Sequence, residues 1–357
     1  MFNIKKWFSS DDSTTSEIYA ALSEFKSAEC PLGIPKEWVT NVSAKSDSVE
    51  IKLTLPFAAK SLSETLSSFL SSTLAKSTSV ATVVHLPDAP KFKQIQHIVL
   101  VASGKGGVGK STTAINLAYA LKQEGAKVGV LDGDIYGPSI PKLLGLEDAK
   151  PVASDDKTLL PLQKHGLVAQ SIGFLVPASE ATVWRGPMAS QALNQLLNET
   201  AWGELDYLIV DMPPGTGDIQ LTMSQKVPAS GAVIVTTPQD LALADAQKGI
   251  AMFSKVNMPI LGLIENMSYF ICGHCGQESD VFGRNGGKQL AMRHGVPLIA
   301  EIPLHTAIRE QGEKAQEALA EVPDIELNYR TCARILASTL YYQNLASNQV
   351  EILITDD

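Results

Sequence analysis

The run Val99-Leu100-Val101-Ala102 gives way to Ser103-Gly104-Lys105-Gly106-Gly107-Val108-Gly109-Lys110-Ser111-Thr112 and then to a helical pattern, and few folds accommodate such a sequence. It reads as a strand, a phosphate loop and a helix start. Gly104, Gly109, Lys110 and Ser111 fill the fixed places of the pattern G-x-x-x-x-G-K-[ST]. Glycines let successive backbone N–H groups converge on a polyphosphate, and the helix N-terminus adds partial positive charge. Gly104 to Thr112 are therefore the expected cradle for the β- and γ-phosphates of ATP. Lys110 would lie along them, and the Ser111 hydroxyl would join the octahedral shell of Mg²⁺. A chance glycine-rich turn would not require strand, loop and helix in this order.

Downstream, Val/Ile/Leu-rich runs alternate with helical segments, with strands expected at 98–102, 127–132, 207–211, 232–236, 260–265 and 298–302. Continuous apolar strands separated by helices imply an α/β fold, a doubly wound, mostly parallel sheet covered on both faces. Ligands of such sheets sit at the carboxyl ends of the strands. Residues 11–90 differ: they are rich in Ser and Thr, nearly devoid of glycine, and end in Leu86-Pro87-Asp88-Ala89-Pro90, a linker composition. A helix at 16–25, an alternating strand at 49–55, a helix with Leu62, Leu66, Phe69, Leu70 and Leu74 on one face and a strand at 80–84 suggest a small α+β domain. The expected division is a small N-terminal α+β domain with its linker at 1–90 and the P-loop NTPase core at 91–357. Between 145 and 182 the pattern is irregular, with a hairpin-like piece at 167–172.

Three strand tips carry chemistry. The second strand ends in Leu131-Asp132-Gly133-Asp134-Ile135-Tyr136-Gly137-Pro138-Ser139. Two carboxylates beside a triphosphate need Mg²⁺ and lysines to offset them. Asp134 is placed to orient an attacking water, whereas Asp132 is either an indirect partner of the metal or a turn former. The third strand runs Leu208-Ile209-Val210-Asp211-Met212-Pro213-Pro214-Gly215-Thr216-Gly217-Asp218, the Walker B arrangement in which Asp211 holds Mg²⁺ through water. Its prolines and glycines suit a loop with discrete positions set by the γ-phosphate. The fifth strand ends in Leu263-Ile264-Glu265-Asn266-Met267-Ser268-Tyr269, where the Asn266 amide can meet an adenine edge or serve as a buried cap. Trp184-Arg185-Gly186-Pro187-Met188 opens a further helix, with Pro187 in its first turn and Arg185 read as a surface residue.

Just beyond the fifth-strand tip, after Phe270 and Ile271, comes Cys272-Gly273-His274-Cys275-Gly276. Two sulfurs on one tight knuckle can grip one side of a metal, but a lone C-x-x-C is half of a tetrahedral thiolate site. The remaining cysteines, Cys30 and Cys332, are distant in sequence and differ in context. An iron–sulfur cluster, Zn²⁺ and a redox dithiol all remain open, although a dithiol is best activated at a helix start and this pair follows a strand. His274 reads as an exposed histidine between two ligands. The formal charge of −9 with scattered basic residues argues against a nucleic-acid binder. The first eight residues lack the apolar core of a signal peptide, and no apolar run is long enough for a bilayer, so a cytoplasmic address without stable membrane association is expected.

Lys105, directly after the first glycine, makes Gly104 to Ser111 resemble the deviant phosphate loop of the MinD, ParA and nitrogenase iron-protein superclass. That resemblance implies that Lys105 reaches across a dimer interface to the neighbouring nucleotide, and that Asp134 belongs to the first switch. Taken with the tips at Asp132–Ser139, Trp184–Met188, Asp211–Asp218 and Glu265 to Cys275, the chain over roughly 95–345 resembles the Mrp/ApbC family of iron–sulfur cluster carrier ATPases. The resemblance implies ATP hydrolysis, a homodimer bridged by a [4Fe–4S] cluster on Cys272 and Cys275, and delivery of that cluster to apo client proteins, with assembly scaffolds as further partners. Lys105, Lys110 and Asp134 would be catalytic, and Ser111 and Asp211 would serve Mg²⁺. The front segment faintly resembles a small domain often fused before these ATPases. Where such domains often carry a cysteine, this chain has Pro56-Phe57-Ala58-Ala59-Lys60, which argues against cluster handling there and leaves docking. Two competing readings are a positioning ATPase like MinD and ParA, which the acidic tail from Asn348 to Asp357 argues against, and a zinc-bridged targeting ATPase.

Overall fold

Residues 49–55 alternate apolar and polar side chains, and the strand they form, β2 (Ser48–Leu55), buries Val49, Ile51, Leu53 and Leu55 on one face. The computed structural model describes residues 9–87, 90, 92–154, 158–175, 186–317 and 322–351, with side chains for all of these except 9–13, 186, 187, 218 and 347–351. The described chain forms two units.

In the first unit, β2 pairs antiparallel with β1 (Val39–Ala44) and parallel with β3 (Ser77–Val84). Two helices belong to it, α1 (Ser9–Glu24) and α2 (Leu62–Leu74). Spacing by four residues puts Leu62, Leu66 and Leu70 in the core, while Phe69 meets Phe25 edge-on at 5.3 Å between centroids. Helix α1 starts seven residues before the expected 16. Strand β1 was not expected, because none of its residues is fully buried and it carries no apolar alternation. The unit also takes in Gln123–Gly125 and the chain from Ala337 onward. The Glu124 carboxylate accepts the Ser61 N–H at 2.8 Å and the Ser61 hydroxyl at 2.6 Å, at the start of α2. Tyr341, Tyr342, Trp38 and Phe57 form a cluster of edge-on and tilted rings at centroid distances from 5.2 to 6.4 Å. Both additions lie beyond residue 90, where the sequence division falls.

The second unit holds the large sheet. Its strands are β4 (Ile95–Ala102), β5 (Val128–Asp132), β6 (Leu162–Lys164), β7 (Leu167–Ser171), β8 (Leu205–Asp211), β9 (Gly231–Thr236), β10 (Ile260–Ile271), β11 (Glu278–Ser279) and β12 (Leu298–Leu304). Their order is β11-β10-β9-β4-β8-β5-β7-β6, with β12 also on β10. All pairings are parallel except β6 on β7 and β11 on β10. The sheet is therefore mixed at its margins, where two hairpins return the chain locally. Flanking helices are α3 (Lys110–Gln123), α4 (Ile140–Leu143), α5 (Gly186–Glu199), α6 (Asp218–Lys226), α7 (Asp240–Lys255), α8 (Gly286–His294) and α9 (Thr306–Glu313). The last helix, α10 (Pro323–Glu351), gives its stretch up to Leu336 to this unit.

Each of the six expected strands forms, and the apolar run that precedes the phosphate loop is central, with Val99, Leu100 and Val101 fully buried between β8 and β9. Strand β10 continues six residues past 265 because β11 pairs with Phe270 and Ile271. Residues 1–8, Asp88, Ala89, Trp184, Arg185 and 352–357 lie outside the described residues, as does the side chain of Asp218. Among the described residues no helix is long and apolar enough to cross a membrane.

Candidate functional site: a phosphate cleft and a cysteine hairpin

Between the end of β4 and the start of α3 the loop turns through Gly107 at φ +82° and Gly109 at φ +85°, the left-handed region open to glycine. Gly106 and Gly107 border open space, so a ligand can approach their backbone. Gly104 is glycine for the opposite reason. A Cβ there would run into the backbone of Asp245 and Ala246 in α7. A Cβ on Gly109 would meet the Asn266 amide. The loop faces a cleft of about 550 Å³, lined by Gly106, Gly107, Gly109, Lys110, Ser111 and Thr112 together with Asp134, Pro214 and Asn266. Val108 is buried, and its carbonyl accepts the Asn266 amide at 2.8 Å. Asn266 thus braces the loop itself, which is the capping use of this residue. Lys105 is half-buried, and among the described residues its amine has no hydrogen bond or ion pair.

Two carboxylates meet the Lys110 amine, and a third, Asp132, feels its charge. The amine donates to Asp211 Oδ1 at 2.5 Å, contacts Ser111 Oγ at 3.3 Å and lies 3.9 Å from Asp134 Oδ2. Burial pushes the carboxyls of Asp211, Asp134 and Asp132 above the usual range; Lys110 pulls all three back, and the Asp211 charge raises Asp132 and Asp134 further. The second oxygen of Asp211 is buried without a partner. An orphaned carboxylate oxygen close to a serine hydroxyl and an open phosphate loop fits Mg²⁺, which takes few protein ligands and completes its shell with phosphate and water. Asp132 is spoken for. It accepts the N–H groups of Asp134 and Ile140 and the Ser171 hydroxyl, each at 3.1 Å, so it holds the segment carrying Asp134 in place. The loop after β8 is pinned by the Gly215 N–H on the Ser103 carbonyl, at 3.0 Å.

Cys272 and Cys275 sit at the tip of the β10–β11 hairpin, on a strand end and not at a helix start. The Gly276 N–H bonds the Cys272 carbonyl at 2.8 Å, and the Cys272 N–H bonds Gln277 at 3.0 Å. Backbone N–H groups of Cys275 and His274 at the Cys272 sulfur hold its thiol below the usual range. Cys275 and His274 are exposed, whereas Cys30 and Cys332 are buried, and burial pushes both of their thiols up to about 12. Among the described residues no three His, Cys, Asp or Glu side chains form a group able to hold a metal ion. The hairpin therefore presents two ligands and an open side.

A family model described as the NUBPL iron-transfer P-loop NTPase of the ParA group matches residues 94–339. The chain belongs to this family. The iron-sulfur cluster carrier protein of Haemophilus influenzae is 48% identical over 315 residues, covering 85% of each chain. Among solved structures, a nucleotide-binding protein of Archaeoglobus fulgidus in complex with ADP is 39% identical with a TM-score of 0.57, covering 64% of this chain and 90% of that one. The cell division ATPase MinD of Pyrococcus furiosus is 23% identical with a TM-score of 0.53, covering 67% of this chain and 98% of its own, and shows the shared fold alone.

This member of the iron-transfer NTPase family has a cleft wall that sequence reasoning passed over. Pro303, Leu304, His305, Ile308 and Arg309, from the end of β12 and from α9, also line the cleft. His305 Nδ1 accepts the Ala307 N–H at 3.1 Å and starts α9, and Arg309 pairs with Glu313 at 2.6 Å. Their position beyond the carboxyl end of a parallel strand was the available signal.

Proposed function

We propose that this P-loop NTPase is an ATP-hydrolysing iron–sulfur cluster carrier of the cytoplasm, working as a homodimer that holds one [4Fe–4S] cluster between two copies of the Cys272–Cys275 hairpin. The observation that carries the reading is that strand β10 carries a side chain gripping the phosphate loop and leads directly into a two-thiol knuckle with no third ligand among the described residues. A matching knuckle from an identical chain brings the total to four thiolates, the set that suits a cluster. The name of the Haemophilus influenzae relative, at 48% identity against 23% for MinD, supports a carrier over a positioning ATPase.

In each nucleotide site, the N–H groups of Gly104 to Thr112 hold the phosphates, Lys110 lies along them, and Asn266 offers its carbonyl and second amide hydrogen to the base. Ser111 and Asp211 would hold Mg²⁺, which supplies charge neutralisation at the β- and γ-oxygens. Asp134 orients the attacking water, and the partner's Lys105 offsets charge building on the transferred phosphoryl group. The cluster is cargo, passed to apo client proteins and received from assembly scaffolds.

The test is anaerobic reconstitution with iron and sulfide, followed by transfer to an apo ferredoxin with and without Mg²⁺ and ATP. Cluster absorbance in the wild type, its loss in Cys272→Ala and transfer that responds to ATP are expected. Stoichiometric zinc without cluster absorbance would contradict the proposal.

A further inference from the structure

Both ends of the cysteine hairpin are tied to the phosphate loop through one short piece of β10. Successive strand residues face opposite sides of a sheet, so Glu265 and Asn266 reach in opposite directions. Asn266 holds the Val108 carbonyl at 2.8 Å. Glu265 is fully buried; its Oε1 accepts the Ser268 hydroxyl at 2.5 Å, and its Oε2 accepts the backbone N–H of Gly287. Gly287 lies in the first turn of α8, where the helix dipole favours a negative charge. The fit is close, since a Cβ on Gly287 would come within 2.7 Å of Oε2.

The stretch carrying Cys272 and Cys275 begins on β10 and ends on α8, so Glu265 fastens its exit to its entry, one residue from the side chain that grips the phosphate loop. Between these grips and the hairpin the strand is irregular. Met267 sits at φ +55°, and the β10–β12 register shifts between Asn266 and Phe270. Among the described residues no lysine or arginine pairs with Glu265. Its charge rests on one N–H and one hydroxyl, and loss of either leaves a buried acceptor unsatisfied.

We propose that Glu265 is a positioning residue that transmits the state of the phosphate loop to Cys272 and Cys275, with the Ser268 hydroxyl and the Gly287 N–H as its two grips. The inference rests on the carrier reading above and adds the physical link between its two sites. A shift of the loop at Val108 moves Asn266, and the segment 265–268 carries that shift to both ends of the hairpin.

The experiment measures iodoacetamide alkylation of Cys272 and Cys275 in the full-length apoprotein, by mass spectrometry, with and without Mg²⁺ and ATP. Wild-type rates should differ by at least about fivefold between the two states, while Glu265→Gln and Ser268→Ala lose most of that difference with KM for ATP and basal hydrolysis held within about twofold. Ser268→Thr, which keeps the hydroxyl, should restore the response. Should Glu265→Gln fail to fold, Ser268→Ala decides, because it removes one hydroxyl and leaves the helix cap in place. Variants that answer ATP as the wild type does, or wild-type thiols indifferent to ATP, would overturn the link. Iron and sulfide bound after reconstitution report on the carrier reading separately: a bound cluster with unaltered variants removes the link alone, and an absent cluster removes the carrier alone.

Discussion

Asp211 has one oxygen on the Lys110 amine and the other buried without a partner, while Asp134 lies against the same lysine and the buried Asp132 feels the Asp211 charge. This cluster suits the Mg²⁺ and phosphate of the proposed function, and burial of its carboxyls carries a cost that such a ligand would offset. A carboxyl whose pKa is raised on folding binds protons more readily in the folded state than in the unfolded chain. It supports the fold at low pH and withdraws that support as pH climbs from the ordinary carboxylate value of about 3.9. For Asp132 the withdrawal runs up to about 7. The melting temperature of the nucleotide-free protein should therefore carry a component that falls with pH across this window, and Asp132→Asn should flatten the slope; an identical slope in the variant contradicts the assignment. Lys110, Ser111 and Asp211 were legible in the sequence because phosphate chemistry fixes their spacing and neighbours. The grip of Asn266 on Val108 was not, since its partners lie 158 residues apart and an amide fits many surroundings. Asp132, left between two roles, is shown by its three hydrogen bonds to brace the Asp134 segment.

The elements that place these residues follow from pattern where burial is one-sided or complete. Strands β5 and β9 are buried end to end and β4 and β8 at all but their second residue, and their buried stretches appear as apolar runs. Strand β1 and the far end of β10 are formed by pairing with other strands, and local composition does not announce them. Packing between elements is equally silent in a sequence. The first glycine of the loop is fixed by α7 as well as by phosphate, because any side chain at 104 meets the Asp245 backbone. Gly104→Ala should therefore cost about 1–3 kcal/mol of stability through overpacking and weaken nucleotide binding with it. Urea unfolding alongside titration with a fluorescent ATP analogue checks both. Weakened binding with unchanged stability would assign the glycine to the phosphate alone.

For the whole molecule, two incomplete features point the same way. Among the described residues the Lys105 amine has no hydrogen bond or ion pair, and the cysteine hairpin offers two thiols and no third ligand. In the proposed homodimer a second copy completes both. Lys105→Gln should lower kcat for ATP hydrolysis by about a hundredfold, the scale of losing one transition-state charge contact, with ATP affinity little changed. Unaltered turnover would remove the lysine from the partner's site. The central claim is that one cluster is shared by two chains, and native mass spectrometry of the anaerobically reconstituted protein tests it most directly. The account predicts a species of two chains carrying one cluster of four irons and four sulfides, absent from Cys275→Ala. A single chain that retains the whole cluster, or a dimer whose only metal is zinc, would contradict it.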